Sequence, residues 1–523
     1  MERVMGLESA QMLVNTRTIV LLFMRRIYLL IPIVAAYLGL AFLAAHSVQP
    51  WCDEGWFSDP AWNLMTRGAM ANTSLDPTAT WRDVNLTGVN RHSYWIMPMF
   101  VVAQVPWYLA TGFGLAQMRW FSTMWGLVLL FAWHRSVFRL TQDRAAAMVA
   151  LACMAVDFNV IFSASVGRMD MMAVALGSLG IAAYLRVRET SVPWALLWGG
   201  GLAACACLTH PNAIFFVIDL IFLALYLDRS QILRWRSLAG FAMPYVVALG
   251  GWGLYIAEDP ALFATQFLGN AGSAGGRFLV VTHPLLSLRN EVVDRYFAMF
   301  GMPPFSSGAP VLKLVVLGAF VASAGMFFGM AKFRAQRGYR ALMGLFLIHV
   351  VMLAVIDGFK QSFYQVYVEP LWIAVMAVVA VQVWRMWPRM RWVVATALGA
   401  VLMVQLSVAA GRWRANPYGT RFLPAVEFIR ANAGAGRSVM ASSEMGLKLG
   451  FTPALIDDYR LGYRSGKRAD LIVMDEGRYQ PWTALLAEQD PGNYAFIQRL
   501  LREEYRVVYD RPGYRIYQRN ASR

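Results

Sequence analysis

Stretches of roughly twenty consecutive apolar residues recur along this chain from Tyr28 to Ala410, and they restrict its fold more than any other feature. In hydrocarbon every backbone N–H and C=O must be satisfied within the protein, which leaves only helices and closed barrels as spanning structures. Runs of this length are about twice a barrel strand, so they read as helices. Composition agrees, since 58% of the 523 residues are hydrophobic and 15% are charged, against about 25% charged in an average soluble chain. The runs fall at 27–46, 119–138, 145–163, 171–185, 193–208, 213–227, 237–257, 311–331, 341–356, 366–384 and 392–411. The expected fold class is mainly α: a polytopic membrane helical bundle of about 11 spans plus interfacial helices, with a small C-terminal α/β extramembrane domain.

Sidedness follows from charge. The segment 94–111 is apolar enough to span, yet it contains Pro98 and Pro106 and is dense in Trp and Tyr. Counted as a span, it would set Arg135, Arg139 and Arg144 on the opposite side from Arg17, Arg25 and Arg26. Laid in the interface, it leaves every basic cluster on one side: Arg135/Arg139/Arg144, Arg186/Arg188, Arg229/Arg234/Arg236, Lys332/Arg334/Arg337/Arg340 and Arg385/Arg389/Arg391. Basic residues accumulate on cytoplasmic loops. The expected organisation is a cytoplasmic N-terminus at 1–26, a transmembrane domain at 27–411 with long external loops 47–118 and 258–310, and a periplasmic α/β domain at 412–523. The protein is expected in the bacterial inner membrane as a multi-pass chain.

The same bias accounts for a net charge of +16, which in a soluble chain would suggest nucleic acid. No nucleic-acid partner is expected here. The four cysteines form neither a disulfide framework nor a zinc spacing, and the first apolar run has no small-residue cleavage site after His46, so it reads as an uncleaved helix. The tail is expected to hold a helix at 422–432, strands near 437–441, 454–458 and 470–475, a helix at about 493–504 and a hairpin pairing 505–509 with 514–518. It contains no phosphate loop, metal motif or nucleophile elbow, and reads as a lid or docking element.

Four groups of residues on the external side carry possible chemistry. Trp51-Cys52-Asp53-Glu54-Gly55-Trp56 leaves the first span with two adjacent carboxylates among aromatics. This is either a solvated helix end with interfacial tryptophans or a general base, for which a carboxylate beside apolar surface is suited. Arg168-Met169-Asp170 is either a loop ion pair or a grip on phosphate beside a second carboxylate. His210, at Thr209-His210-Pro211-Asn212, is either a capping residue or a donor to an anionic oxygen. In Asp357 to Pro370, Lys360 with Tyr364 and Tyr367 sets a cation and phenols on one helical face. Decorative charges would scatter over both membrane faces, whereas these four groups share one.

Together these residues resemble the GT-C superfamily of integral membrane glycosyltransferases, specifically the bacterial relatives of protein O-mannosyltransferases and of the aminoarabinose transferase that modifies lipid A. The matching elements, over residues 27–411, are Asp53-Glu54, an interfacial helix from Arg91 to the Phe113-Gly114 turn, Arg119 opening the second span, Arg168-Met169-Asp170, and the Lys…Tyr…Pro pattern from Lys360 to Pro370. This chain has His92-Ser93-Tyr94-Trp95 where many relatives have Pro-Pro, and His210 where they often have Lys.

The resemblance implies inverting transfer of a sugar, hexosyl or pentosyl, from a polyprenyl-phosphate donor to a hydroxyl of a glycan, lipid or protein acceptor at the periplasmic face. It implies catalytic roles for Asp53, Glu54 and Asp170, with Asp53 as base. Substrate-binding roles fall to Arg119, Arg168, His210, Lys360, Tyr364 and Tyr367. It also raises a divalent cation, Mg or Mn, held by Asp53 and Asp170. The competing readings are a transporter or flippase for a lipid-linked glycan, and a polymerase or ligase using a diphosphate-linked donor. The first lacks the internal repeat and midplane charges usual for transporters, and the second calls for more external arginine.

Overall fold

The computed structural model describes residues 30–521 apart from 79, 82–83, 271–278, 307 and 435. The expected cytoplasmic segment 1–26 lies outside the described residues. Helix α1 is Leu30–Ala45 and α2 is Cys52–Arg67. Then come α3 (Pro98–Thr111), α4 (Leu115–Thr141), α5 (Arg144–Val156), α6 (Phe158–Ser165), α7 (Met169–Val187) and α8 (Val192–Thr209). Next follow α9 (Ile214–Leu227), α10 (Trp235–Ile256), α11 (Leu314–Gly329), α12 (Arg337–Ile356), α13 (Glu369–Met386) and α14 (Arg391–Ala415).

Among the described residues seven helices are long and apolar enough to cross a membrane, or up to nine if each of two bent pairs is one span. The expected count of about eleven also takes in two shorter apolar helices, Leu30–Ala45 and Pro211–Leu227.

Both bends have local causes. α3 and α4 meet at 117°, at Gly112-Phe113-Gly114, where Gly112 has φ +85° and Gly114 φ +154°; a side chain at either glycine would be strained. α5 and α6 meet at 56° around Asp157, whose carboxylate accepts from the Asn159 and Val160 amides at 2.9 and 3.0 Å and so opens a new helix. The segment placed in the interface on charge grounds is thus the helix that turns away from its neighbour.

α7 and α13 are the most enclosed candidate spans, while α10, whose side chains are mostly exposed or half-buried, packs on α8 at Gly240, where a Cβ would lie 2.5 Å from the Pro193 carbonyl oxygen. α7 and α8 approach closely at Gly180, where a Cβ would lie 2.9 Å from the Gly199 carbonyl oxygen. The basic clusters sit at the helix ends opposite the candidate site. Arg168 caps the start of α7, whereas Arg186 and Arg188 finish it. There Arg188 pairs with Asp228 at 2.7 Å, and Arg385 at the end of α13 pairs with Asp143.

Past Ala415 the chain passes through a π-turn, Tyr418–Phe422, into α15 (Leu423–Ala433). A five-stranded sheet follows, in the order β2-β1-β3-β5-β4, with β1 Val439–Met440, β2 Leu455–Ile456, β3 Leu471–Asp475, β4 Tyr505–Arg511 and β5 Tyr514–Arg519. β1 pairs parallel with β2 and β3, and β5 antiparallel with β3 and β4. The expected strands, hairpin and two helices are all present. One helix, α16 (Tyr479–Gln489), precedes α17 (Pro491–Glu503) and had no sequence expectation. Pro481 stands in its first turn, where a missing N–H costs no intrahelical bond.

Glu444 is buried in this domain; burial and the neighbouring Asp475 push its carboxyl up to about 8. The folded state therefore keeps a proton that the unfolded chain, at its ordinary carboxylate pKa, releases. Stability contributed by this group falls as pH rises from about 4.5 to about 8 and levels off above that. Thermal unfolding of the purified protein across this range should show Tm declining with pH, and Glu444→Gln should flatten the decline.

Candidate active site

Four segments converge where α2, α7 and α13 begin and α8 ends. Arg168 lies at the centre. It precedes α7 with an extended backbone, φ −111° and ψ 150°, which turns its side chain toward α2. Its Nε donates to Asp170 Oδ2 at 2.9 Å and its Nη1 pairs with Asp53 Oδ2. The guanidinium lies 3.8 Å from the Phe363 ring centroid and 5.1 Å from that of Trp51, rings that also meet each other edge to face. One cation thus joins two carboxylates between aromatic faces, shielded from water, where electrostatic interactions strengthen. Of the three charged side chains Asp53 is the most open, at 14% exposed.

Asp170 turns its other oxygen toward His210, 3.7 Å from Nε2. The His210 Nδ1 accepts the Asn212 amide at 3.1 Å. Since Nδ1 is the acceptor, Nε2 carries the ring proton and directs it at Asp170. The His210 ring stands edge-on to Tyr364 at 5.3 Å and 5.9 Å from Tyr367. Tyr367 is buried, and among the described residues its hydroxyl has no hydrogen-bond partner. Asp53, Arg168, Asp170, His210, Tyr364 and Tyr367, named separately from the sequence, therefore form one cluster.

Glu54 and Arg119 are beside it but face each other. Arg119 Nε and Nη2 reach the two Glu54 oxygens at 2.8 Å each, while Nη1 donates to the Ala45 and Val48 carbonyls at 2.6 and 2.9 Å. Glu54 also accepts the Gly167 and Trp51 amides at 3.0 Å each. Both side chains are fully buried. Lys360 is drawn elsewhere. With φ +55°, it turns its ammonium to Glu291 at 3.1 Å and the Ala354 carbonyl at 2.6 Å. Arg295 ties Glu291 to Asp357 at 2.7 and 2.9 Å. Glu291, Arg295 and the ring of Phe363 were not singled out from sequence, and their pairing over long separations leaves no local signal.

The donor set does not assemble a cation site. Asp53 and Asp170 are joined through Arg168, whose positive charge stands where a metal would be held, and His210 presents a protonated nitrogen. Among the described residues no three His, Cys, Asp or Glu side chains converge to hold a metal.

Removing one partner of a buried ion pair leaves the other charge uncompensated, at a cost of about 3–5 kcal/mol. Glu54→Ala and Arg119→Ala should therefore lower Tm and yield, whereas Asp53→Asn, at a more open position, should leave Tm near wild type. Thermal unfolding of the three purified variants checks this contrast.

No family model matches the sequence, and no curated protein matches it. The fold does have solved counterparts. ArnT from Cupriavidus metallidurans bound to undecaprenyl phosphate superposes with a TM-score of 0.57 at 16% identity, covering 94% of this chain and 98% of that one. The same protein in the apo state gives 0.58 at 15% identity, covering 93% and 97%. The oligosaccharyltransferase of Archaeoglobus fulgidus in its apo form gives 0.51 at 11%, covering 91% of this chain and 69% of that one. ArnT and the oligosaccharyltransferase are GT-C proteins. This chain shares the fold of these two membrane-protein structures over more than nine tenths of its length.

Proposed function

We propose that the protein is a multi-pass glycosyltransferase of the bacterial inner membrane that moves a sugar from a polyprenyl phosphate to an acceptor hydroxyl, with inversion, at the periplasmic face. The observation that carries the reading is the buried arginine shared by Asp53 and Asp170: a cation set between a base and a supporting carboxylate. The ArnT likeness, with undecaprenyl phosphate bound in that protein, supports a lipid-phosphate donor.

In the proposed reaction the acceptor oxygen attacks the anomeric carbon opposite the carbon–oxygen bond to phosphate. That bond breaks, its electron pair leaves with the polyprenyl phosphate, and Asp53 takes the hydroxyl proton. Arg168 stabilises the charge gathering on the departing phosphate. In the free protein it pairs with Asp53, so a bound phosphate competes with Asp53 for the guanidinium and frees the carboxylate to accept the proton. Asp170, fixed by Arg168 and with His210 Nε2 3.7 Å from its other oxygen, keeps the arginine aimed. Tyr364 and Tyr367 line the donor side with phenol groups. Glu54 and Arg119, engaged with each other, position α2, and Lys360 shapes the neighbouring loop through Glu291.

The test is release of free polyprenyl phosphate from a panel of polyprenyl-phosphate sugars by protein in nanodiscs. Wild type should turn over at least one donor, and Asp53→Asn, matched for folding, should be slower by on the order of 10²–10⁴. Intact wild type that releases nothing from any monophosphate donor, or an Asp53→Asn variant at full rate, would overturn the reading.

A further inference from the structure

Helix α2 shows Asp53 to the bundle from its first turn and is held on its other side by the C-terminal domain. Gly55 has no space for a side chain, because a Cβ there would lie 2.2 Å from the Ser443 carbonyl carbon. One residue on, Trp56 donates its indole N–H to Asp457 Oδ2 at 3.0 Å. That oxygen also accepts the Ser443 amide at 3.0 Å, the Ser443 hydroxyl at 2.7 Å and Arg478 Nη1 at 2.7 Å. Oδ1 accepts the Tyr479 hydroxyl at 2.8 Å.

The backbone of Asp457 reaches the loop that follows α2. Its N–H donates to the Ser74 carbonyl at 2.7 Å, and its carbonyl accepts the Asp76 amide at 3.1 Å. Ser74 in turn meets the Ser443 hydroxyl at 2.9 Å and donates to Asp59, on α2 itself, from both N and Oγ at 2.7 Å. The Arg478 guanidinium lies 4.5 Å from the Trp56 ring and 4.2 Å from the Trp482 ring. Asp457 and Arg478 are both buried. A single carboxylate thus gathers five donors from the sheet domain and from α2.

We propose that Asp457 is a positioning residue for the transfer reaction, acting through Trp56 to hold α2 and thereby to set the reach of Asp53 to the acceptor hydroxyl. The C-terminal domain is then one wall of the active-site scaffold, since a displacement of about 1 Å at a reacting group costs on the order of 10²-fold in rate. The catalytic half of this statement rests on the reading of Asp53 above, and the mechanical half does not.

The chain supplies its own reporter, because Cys52 opens α2 and is buried. With Cys153, Cys205 and Cys207 changed to Ala, the reaction of Cys52 with a water-soluble maleimide measures how firmly α2 is held, with Trp56→Phe as the variant that leaves the charges near this thiol unchanged. In Asp457→Asn this rate should rise about tenfold or more, while kcat falls about tenfold or more and KM for the lipid donor stays within about twofold. Trp56→Phe removes one hydrogen bond, keeps a ring, and should move both quantities the same way by less; it also serves if Asp457→Asn does not fold. Asp490→Ala, which uncaps α17 away from α2, should move neither, as loosening of the domain in general would not suffice.

Cys52 as protected in folded Asp457→Asn and Trp56→Phe as in wild type overturns the proposal. So does an exposed Cys52 with unchanged kcat. If wild type transfers no sugar from any donor, the failure belongs to the functional reading, and the maleimide rates alone decide whether Asp457 holds α2.

Discussion

The ion pair of Glu54 and Arg119 is the contact on which the site depends. Arg119 begins a long helix, Glu54 lies in the first turn of a helix outside the bundle, and between them they collect the carbonyls of Ala45 and Val48 and the amides of Trp51 and Gly167. The end of α1, the start of α2, the start of α4 and the approach to α7 are thereby fixed at one point. Charge buried this deeply contributes less to net stability than its Coulomb energy suggests, because desolvation opposes it. Its value is geometric, since the two side chains satisfy donors and acceptors from four segments at one point. Asp53 is one residue from this point and Arg168 one residue from Gly167, so both inherit its rigidity.

Around that anchor the charges sort into separate neutral groups. Glu54 with Arg119, and Glu291 and Asp357 with Arg295 and Lys360, balance internally. The group at Arg168 does not, because it sets two carboxylates against one guanidinium. An excess carboxylate with a partly open neighbour is the least settled arrangement of the three, and it is the one a proton-donating partner would complete. Rings cover it from two sides, which withholds water without supplying a competing hydrogen bond.

Hydropathy and charge bias are local properties, and so the helices, the turn of the segment 94–111 away from its neighbour and the grouping of Asp53, Arg168, Asp170, His210, Tyr364 and Tyr367 were legible in the sequence. Pairing is not local. Glu54 and Arg119 carry the residue types of a base and a phosphate ligand, and nothing along the chain says that they satisfy one another. Lys360 has the same ambiguity, resolved by a glutamate that opens the helical segment Glu291–Phe297 far away in sequence. The two short apolar helices Leu30–Ala45 and Pro211–Leu227 are why a count of spans made from sequence exceeds the count made from helix length. In the tail, short apolar runs and the turn at Asp510-Arg511-Pro512-Gly513 marked the strands, whereas α16, with weak amphipathicity and a proline in its first turn, had no comparable signal.

The hydrogen bond from Trp56 to Asp457 joins residues 401 positions apart. Contacts of such separation form late, because the intervening chain must first be ordered. During synthesis the helix bearing Asp53 therefore emerges long before the sheet that braces it. A nascent chain, or one cut short between Ala415 and Asp457, would hold every described membrane helix and every carboxylate of the cluster yet leave α2 without this brace, so that competence for the proposed chemistry would be the last property the growing protein acquires.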